Sequence, residues 1–240
     1  MTNELIEKLQ NIHDADELLA VAGKMFDGRI ALASSFSAED QIITEKIAKA
    51  GLAIEIFTLD TGRLPEETYK VIDATRRRYG IDIEVLAPDG DKLSEFVSKN
   101  GPNSFYDSVE KRKACCAIRK VEPLKRKLAR LDAWICGLRA EQSPTRTDLQ
   151  TVEWDAGNGL VKISPLAGWS TEMVWDYVRQ NDVPYNKLHD MGYESIGCAP
   201  CTRAIKPGED IRAGRWWWEN PEHKECGLHL GPKKTETEKV

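Results

Sequence analysis

Short apolar runs alternate with amphipathic stretches along most of the chain. Arg29–Ser34 (RIALAS), Ala53–Leu59 (AIEIFTL), Asp82–Leu86 and Ala133–Gly137 (AWICG) have strand length and strand composition. The segments between them follow a helical period. Residues 3–26 place Leu5, Ile6, Leu9, Ile12, Leu18, Leu19 and Ala22 near one face, with Asp14 or Asp16 positioned to cap a second segment. Gln41–Ala50 reads as a helix closed by Gly51, and Pro65 opens another that runs to about Tyr79 and stops at Gly80. A basic helix spans about Ala117–Arg130, and Thr171–Gln180 forms one more behind Ser170 or Thr171 as cap. Val152–Trp154 and Val161–Ser164 flank Asp155-Ala156-Gly157-Asn158-Gly159 and read as a hairpin. After about Gly192 the periodicity fades. Strands alternating with helices predict an α/β fold, a mostly parallel sheet flanked by helices with right-handed crossovers. The expected division is a main domain over residues 1–202 and a C-terminal tail over 203–240.

Composition narrows the class. A chain of 240 residues buries roughly 70–75% of its unfolded surface and needs no disulfide staples. The net charge of −5 argues against a general nucleic-acid binder. No apolar run approaches a membrane span, and the acidic amphipathic N-terminus is not a signal peptide. A cytoplasmic location is the expectation. Six cysteines then need a reason: Cys115, Cys116, Cys136, Cys198, Cys201 and Cys226. In a reducing compartment clustered cysteines more often bind metal or do chemistry than form disulfides.

Three loops fall at one edge of the predicted sheet. The first, Ser34-Ser35-Phe36-Ser37-Ala38-Glu39-Asp40, joins strand to helix, where free N–H groups and the helix dipole favour an anion. It lacks the glycines and lysine of a P-loop NTPase, and an ordinary serine-rich turn with Ser37 as helix cap is the plain alternative. Leu59-Asp60-Thr61-Gly62-Arg63 and Gly137-Leu138-Arg139 end two further strands. Open α/β sheets bind ligands at this edge, so a nucleotide pocket is expected there.

Cys115-Cys116 and Cys198-Ala199-Pro200-Cys201 make two close pairs. Four such thiols suit a structural zinc or a [4Fe–4S] cluster; buried thiols beside a redox C-x-x-C are the alternative. Cys136 lies in an apolar strand and reads as core. Cys226, between Lys224-Glu225 and Gly227-Leu228-His229, has neighbours that favour a thiolate, although a lone tail cysteine is by itself unremarkable chemistry.

Taken together, SSFSAEDQ at 34–41, LDTGRLPEETY at 59–69, KRKACCAIRKVEPL at 111–124, GLRAEQSPTR at 137–146, SIGCAPCTR at 195–203, GEDIRAGRWWWE at 208–219 and KECGLH at 224–229 resemble the assimilatory adenylyl-sulfate (APS) reductases, relatives of the PAPS reductases. The resemblance runs from Ile30 to Leu230 and implies an adenine nucleotide α-hydrolase-like (PP-loop-like) fold. It implies a [4Fe–4S] cluster on Cys115, Cys116, Cys198 and Cys201, and makes Cys226 the nucleophile with His229 beside it. It implies that Lys120, Arg146, Arg212 and Arg215 surround the phosphosulfate, and that Ser37, Leu59, Thr61 and Gly137 hold the adenosine or phosphate. The activity implied is reduction of APS to sulfite and AMP by thioredoxin through an S-sulfocysteine, in a homo-oligomer without nucleic-acid or membrane partners. In the family, PAPS-preferring members generally lack both cysteine pairs, so the resemblance favours APS as substrate, with some cluster-bearing members accepting both. The anion loop departs from the family pattern in carrying no glycine. Trp216-Trp217-Trp218 reads as burial that anchors the tail rather than a nucleotide stack.

Other classes fit less. An ATP-using sulfur transferase needs a Ser-Gly-Gly-x-Asp loop that residues 35–40 do not form. A zinc-stabilised binding module leaves Cys226 and the anion loop unexplained. A PAPS or dual APS/PAPS reductase is the nearest rival.

Overall fold

The computed structural model describes residues 2–142 and 149–220. Two helices, α1 (Thr2–Gln10) and α2 (Ala15–Phe26), precede strand β1 (Ile30–Ala33). The break between them falls at Asp14, whose carboxylate accepts from the Glu17 N–H at 2.9 Å as an N-cap. The chain continues through α3 (Ala38–Lys49), β2 (Glu55–Leu59), α4 (Glu66–Tyr79), β3 (Glu84–Leu86), α5 (Gly90–Asn100) and α6 (Val109–Cys116). A π-helical turn, Ala117–Val121, joins α6 to α7 (Glu122–Leu128). Then come β4 (Ala133–Ile135), the hairpin β5 (Val152–Asp155) and β6 (Leu160–Ile163), and α8 (Thr171–Gln180).

The six strands form one sheet in the order β3-β2-β1-β4-β6-β5. All pairs are parallel except the β5–β6 hairpin. The chain first steps outward from β1 to β3, then returns to add β4 on the other side of β1. The loops leaving β1 and β4 therefore diverge, which opens a crevice at the carboxyl ends of the strands. In register, Leu32 of β1 lies between Ile56 of β2 and Ile135 of β4. These three pack on one face against α1–α4 and α8, with Leu18, Ile42, Ile43 and Val174 buried there. Alternate residues Ala31, Phe57 and Trp134 face the other side, against Leu124 and Leu128 of α7.

Helix α3 crosses the centre and is buried from Ala38 through Ile47, charged residues included. Buried charge needs partners, and each has one. Glu39 pairs with Arg139, Glu45 with Lys49 and Tyr177, and Lys46 with Asp16. The charged positions of α3 hold fixed contacts, which is why its sequence is only weakly amphipathic.

Strands β1–β4 lie within the predicted runs, each shorter by a residue or more, whereas β5 extends one residue past its run to Asp155 and β6 starts one residue early, at Leu160. Helices α5 and α6 were not predicted: Gly90 opens the first, and α6 carries the two adjacent cysteines at its end. No helix among the described residues is long and apolar enough to cross a membrane.

Candidate active site

The loop after β1 is organised by Asp40. Its Oδ2 accepts from the Ser35 N–H (2.7 Å), the Ser35 hydroxyl (2.7 Å) and the Ser37 hydroxyl (3.3 Å), and its Oδ1 accepts from the Gly137 N–H across the crevice (2.9 Å). One carboxylate thus ties the loop after β1 to the loop after β4. Burial pushes Asp40 up to about 6 despite these hydrogen bonds, and neighbouring Glu39 adds to the rise. Ser37 occupies the N-cap position of α3 but its hydroxyl makes no cap bond; it turns to Asp40 instead. Gly137 is required by space: a Cβ there would stand 2.4 Å from Asp40 Oδ1 and 3.0 Å from the Asp40 backbone nitrogen. Beside it, Arg139 and Glu39 form a buried ion pair at 2.8 Å.

The missing glycine of the loop has a structural counterpart. Phe36 takes a left-handed conformation, φ 61°, with its ring fully buried. That conformation costs an L-residue about 1–2 kcal/mol, and the buried ring offsets it.

A cavity of about 250 Å³ opens at the crevice. Ser37, Leu59 and Gly137 line one part, and Lys120, Arg212 and Arg215 supply cationic wall. Arg212 and Arg215 share the cavity through a turn, in which the Arg215 N–H donates to the Arg212 carbonyl at 2.9 Å, and not through a helix. Thr61 lies elsewhere. It is fully buried, its hydroxyl meets Cys198 Sγ at 3.3 Å, and its carbonyl accepts from Arg119 Nη1 at 2.5 Å. The structure places Thr61 against the thiols rather than on the cavity wall.

Cys115, Cys116, Cys198 and Cys201 border a second, smaller cavity of about 20 Å³, together with Arg63, Arg112, Arg119 and Lys120. Lys120 lines both cavities. It sits in the π-helical turn that begins directly after Cys116, where the Glu122 N–H reaches back to the Ala117 carbonyl. Such turns often mark functional sites. Burial pushes the Cys115 thiol up, and burial together with Cys198 and Cys116 pushes Cys201 up to about 12. Burial also acts to raise Cys198, but Lys120, the Thr61 hydroxyl, Arg215 and Arg119 outweigh it and bring that thiol below its ordinary value. Among the described residues no three His, Cys, Asp or Glu side chains close on one ion-sized point; the four thiols border a shared space. Four thiols ringed by cations, with the buried Arg119 Nε lacking an acceptor, form a donor set suited to an anionic thiolate-held cluster. Cys136 is buried core, 3.5 Å from Ser164 Oγ.

The segment after Cys201 folds back over the thiols. Thr202 bridges Arg215, the Arg203 N–H donates to the Gly214 carbonyl (3.0 Å), and the Trp216 N–H donates to the Cys201 carbonyl (3.2 Å). Trp216 is buried with Phe105, Cys198 and Cys201, and the guanidinium groups of Arg112 and Arg215 each lie over its ring, 4.7 Å from its centre. Arg112 makes a bidentate, buried ion pair with Glu219 (2.9 and 2.7 Å). Trp217 is exposed and Trp218 half-buried, so one tryptophan of the three is core. Arg146, Cys226 and His229 lie outside the described residues.

Asp40, Glu39, Arg139 and Arg119 were not singled out from sequence. The signal available was the acidic pair directly inside an expected anion loop, which demands buried cationic or N–H partners.

Fold and site together define a nucleotide-binding α/β enzyme with a thiol-lined centre beside its pocket. The chain matches the phosphoadenosine phosphosulfate reductase domain over residues 29–204. It is 59% identical to the adenosine 5'-phosphosulfate reductase of Allochromatium vinosum over 90% of this chain and 84% of that one. It is 51% identical to the enzyme of the same name from Burkholderia cepacia, over 96% and 90%. The crystal structure of the PAPS reductase of Candida auris, in its phosphate complex, superposes with a TM-score of 0.73 at 25% identity, over 85% of this chain and 98% of that one. The FMN adenylyltransferase of Candida glabrata shares the fold alone, with a TM-score of 0.55 at 14% identity, over 92% and 77%. The chain belongs to the APS/PAPS reductase family and is an oxidoreductase acting on a sulfur group.

Proposed function

We propose that the chain reduces adenosine 5'-phosphosulfate to sulfite and AMP in cytoplasmic sulfate assimilation, with thioredoxin as reductant. The observation that carries this reading is the cationic wall of Lys120, Arg212 and Arg215 on the crevice cavity, with Lys120 shared by the thiol-lined cavity. The high identity to APS reductases supports the same substrate.

Adenosine enters the crevice between Leu59 and Gly137, with Ser37 near the phosphate. The phosphosulfate carries several negative charges, so a thiolate approaches its sulfur only when cations screen them. Lys120, Arg212 and Arg215 supply that field, joined on the resemblance by Arg146. The Cys226 thiolate, with His229 beside it, forms a bond to the sulfur. The bond from that sulfur to the phosphate oxygen breaks, and AMP leaves with the electron pair as an ionised phosphate that needs no general acid. S-sulfocysteine remains on Cys226. A thiolate of reduced thioredoxin attacks the Cys226 sulfur, and sulfite departs. The second thioredoxin thiol then resolves the mixed disulfide, restoring Cys226 and oxidising the dithiol by two electrons.

Cys115, Cys116, Cys198 and Cys201 fit a [4Fe–4S] cluster. When bound, it supplies charge and position, since the electrons come from thiols. Residues 203–240 act as the catalytic tail that delivers Cys226, and the family supports a homo-oligomer.

Enzyme mixed with APS labelled in its sulfur, without thioredoxin, retains the label on a Cys226 peptide and releases AMP. Cys226→Ser abolishes sulfite release and keeps AMP binding; substantial turnover in that variant refutes the nucleophile. Comparable kcat/KM on APS and PAPS would mean dual specificity. A colourless protein with stoichiometric zinc overturns the cluster assignment.

A further inference from the structure

The two crowded glycines of the thiol region differ in what crowds them. A Cβ on Gly214 would stand 2.3 Å from the Arg203 carbonyl oxygen, a backbone atom held in the Arg203–Gly214 pairing. A Cβ on Gly197 would stand 2.3 Å from Arg215 Nη2 and 2.6 Å from its Cζ, the far end of a side chain. Neither glycine has a left-handed φ, so space is the constraint and alanine fits either backbone. At Gly214 nothing can yield without undoing the pairing. At Gly197 the guanidinium can yield, by leaving the place where it lines the cavity.

That place is closely defined. Arg215 is buried, and its Nη1 donates to Ser195 Oγ (3.3 Å) and the Ile196 carbonyl (3.4 Å). Its guanidinium lies over Trp216, whose ring also meets Arg112, itself paired with Glu219. Gly197 and Arg215 both line the crevice cavity. The bare Cα of Gly197 is thus one wall of the slot that Ser195, Ile196 and Trp216 also border.

We propose that Gly197 is a positioning residue for the reaction, whose missing side chain lets the Arg215 guanidinium lie flat against the backbone at the cavity wall. The assignment rests on the proposed role of Arg215 toward the phosphosulfate. Gly197 precedes Cys198 directly, so the chain that brings a thiol to the small cavity also sets where the anion-binding charge stands in the large one. A displaced guanidinium loses its aim at the anion while the fold keeps its core.

The test is a double-mutant cycle on the full-length, cluster-loaded chain, with Gly197→Ala, Arg215→Ala and the pair. The readouts are KM and kcat for APS and equilibrium APS affinity in the Cys226→Ser background. The visible spectrum and iron content report the cluster independently. Losing one charge-assisted contact to an anion corresponds to roughly tenfold weaker binding. Gly197→Ala should therefore raise KM and weaken APS by about that factor with spectrum and iron unchanged. In the Arg215→Ala background it should add nothing. Equal weakening in both backgrounds, or none in either, overturns the proposal. Unchanged affinity in Arg215→Ala itself overturns the role of Arg215 and so the reading beneath it. Should Gly197→Ala not fold, Gly197→Ala with Arg215→Lys decides: the slimmer ammonium leaves room for the methyl, and failure of that pair to fold refutes the slot.

Discussion

Replacing Asp40 by asparagine tests the organisation of the crevice, because it removes charge and keeps shape. Asp40 is fully buried, and its carboxyl rises from the ordinary 3.8 to about 6. Folding with that carboxylate ionised therefore costs about 3 kcal/mol relative to the unfolded chain. Asp40→Asn removes this cost. It also turns an amide NH₂ or a second-best geometry toward Ser35, whose N–H donates to Oδ2 at 2.7 Å, and an unmet buried donor costs about 1–3 kcal/mol. The two terms oppose each other at neutral pH, so the difference there is small. Their pH dependence is not. The folded protein binds the Asp40 proton more readily than the unfolded chain. The stabilisation from protonation is complete below pH 3.8 and is lost as pH rises through about 6. Between pH 7.5 and pH 5 the wild type should regain roughly 1–2 kcal/mol relative to Asp40→Asn. Urea midpoints measured in parallel at the two pH values read this, because the other carboxylates cancel in the difference. A difference that stays constant, or that favours the variant at low pH, refutes the picture of a strained, buried carboxylate. At neutral pH the variant should also bind AMP more weakly, since a single amide oxygen cannot accept from both Ser35 and Gly137.

Three further outcomes follow from named contacts. Arg112→Ala leaves Glu219 buried without its partner and should lower stability by about 3–5 kcal/mol, whereas Arg112→Met with Glu219→Leu should recover most of it in chemical denaturation. Gly137→Ala forces a methyl into Asp40 Oδ1 and backbone nitrogen, and should impair both AMP affinity by calorimetry and the urea midpoint. Phe36→Gly relieves about 1–2 kcal/mol of left-handed strain but deletes a buried ring worth about 3–5 kcal/mol, so the net is a loss of stability rather than the gain that backbone strain alone predicts.

The fold was legible because its signals are local. Apolar strand-length runs such as RIALAS and AWICG, and stops such as Gly80, each carry their meaning within a few residues. Helix α6 escaped because its stretch, VEKRKACC, presents charge on nearly every side and buries only Arg112. Its helicity is justified by what it meets: Ser108 caps it at the Lys111 N–H, 3.2 Å, and Glu219, distant in sequence, neutralises its one buried guanidinium. The split between α1 and α2 was readable from Asp14. The π-helical turn was not, since Ala117-Ile118-Arg119-Lys120-Val121 has ordinary helix formers and the extra residue shows only in the hydrogen bonding.

The site divides along the same line, between groups that act by their chemistry and groups that act by absence or by burial. Cysteine pairs and basic residues announce themselves by type. Gly137 and Gly197 matter for a Cβ they lack, and only three-dimensional neighbours reveal which atom would be struck. Asp40 and Glu39 turn their carboxylates to Ser35, Gly137 and Arg139, so that N–H and cationic groups of the crevice loops are held by protein acids. Thr61 has a type that suits a phosphate, and its buried hydroxyl meets Cys198. Lys120 lines both the thiol cavity and the crevice, and its charge lowers the Cys198 thiol. On the proposed function, an anion in the crevice meets the same lysine that lowers the Cys198 thiol, inside a chain of net charge −5.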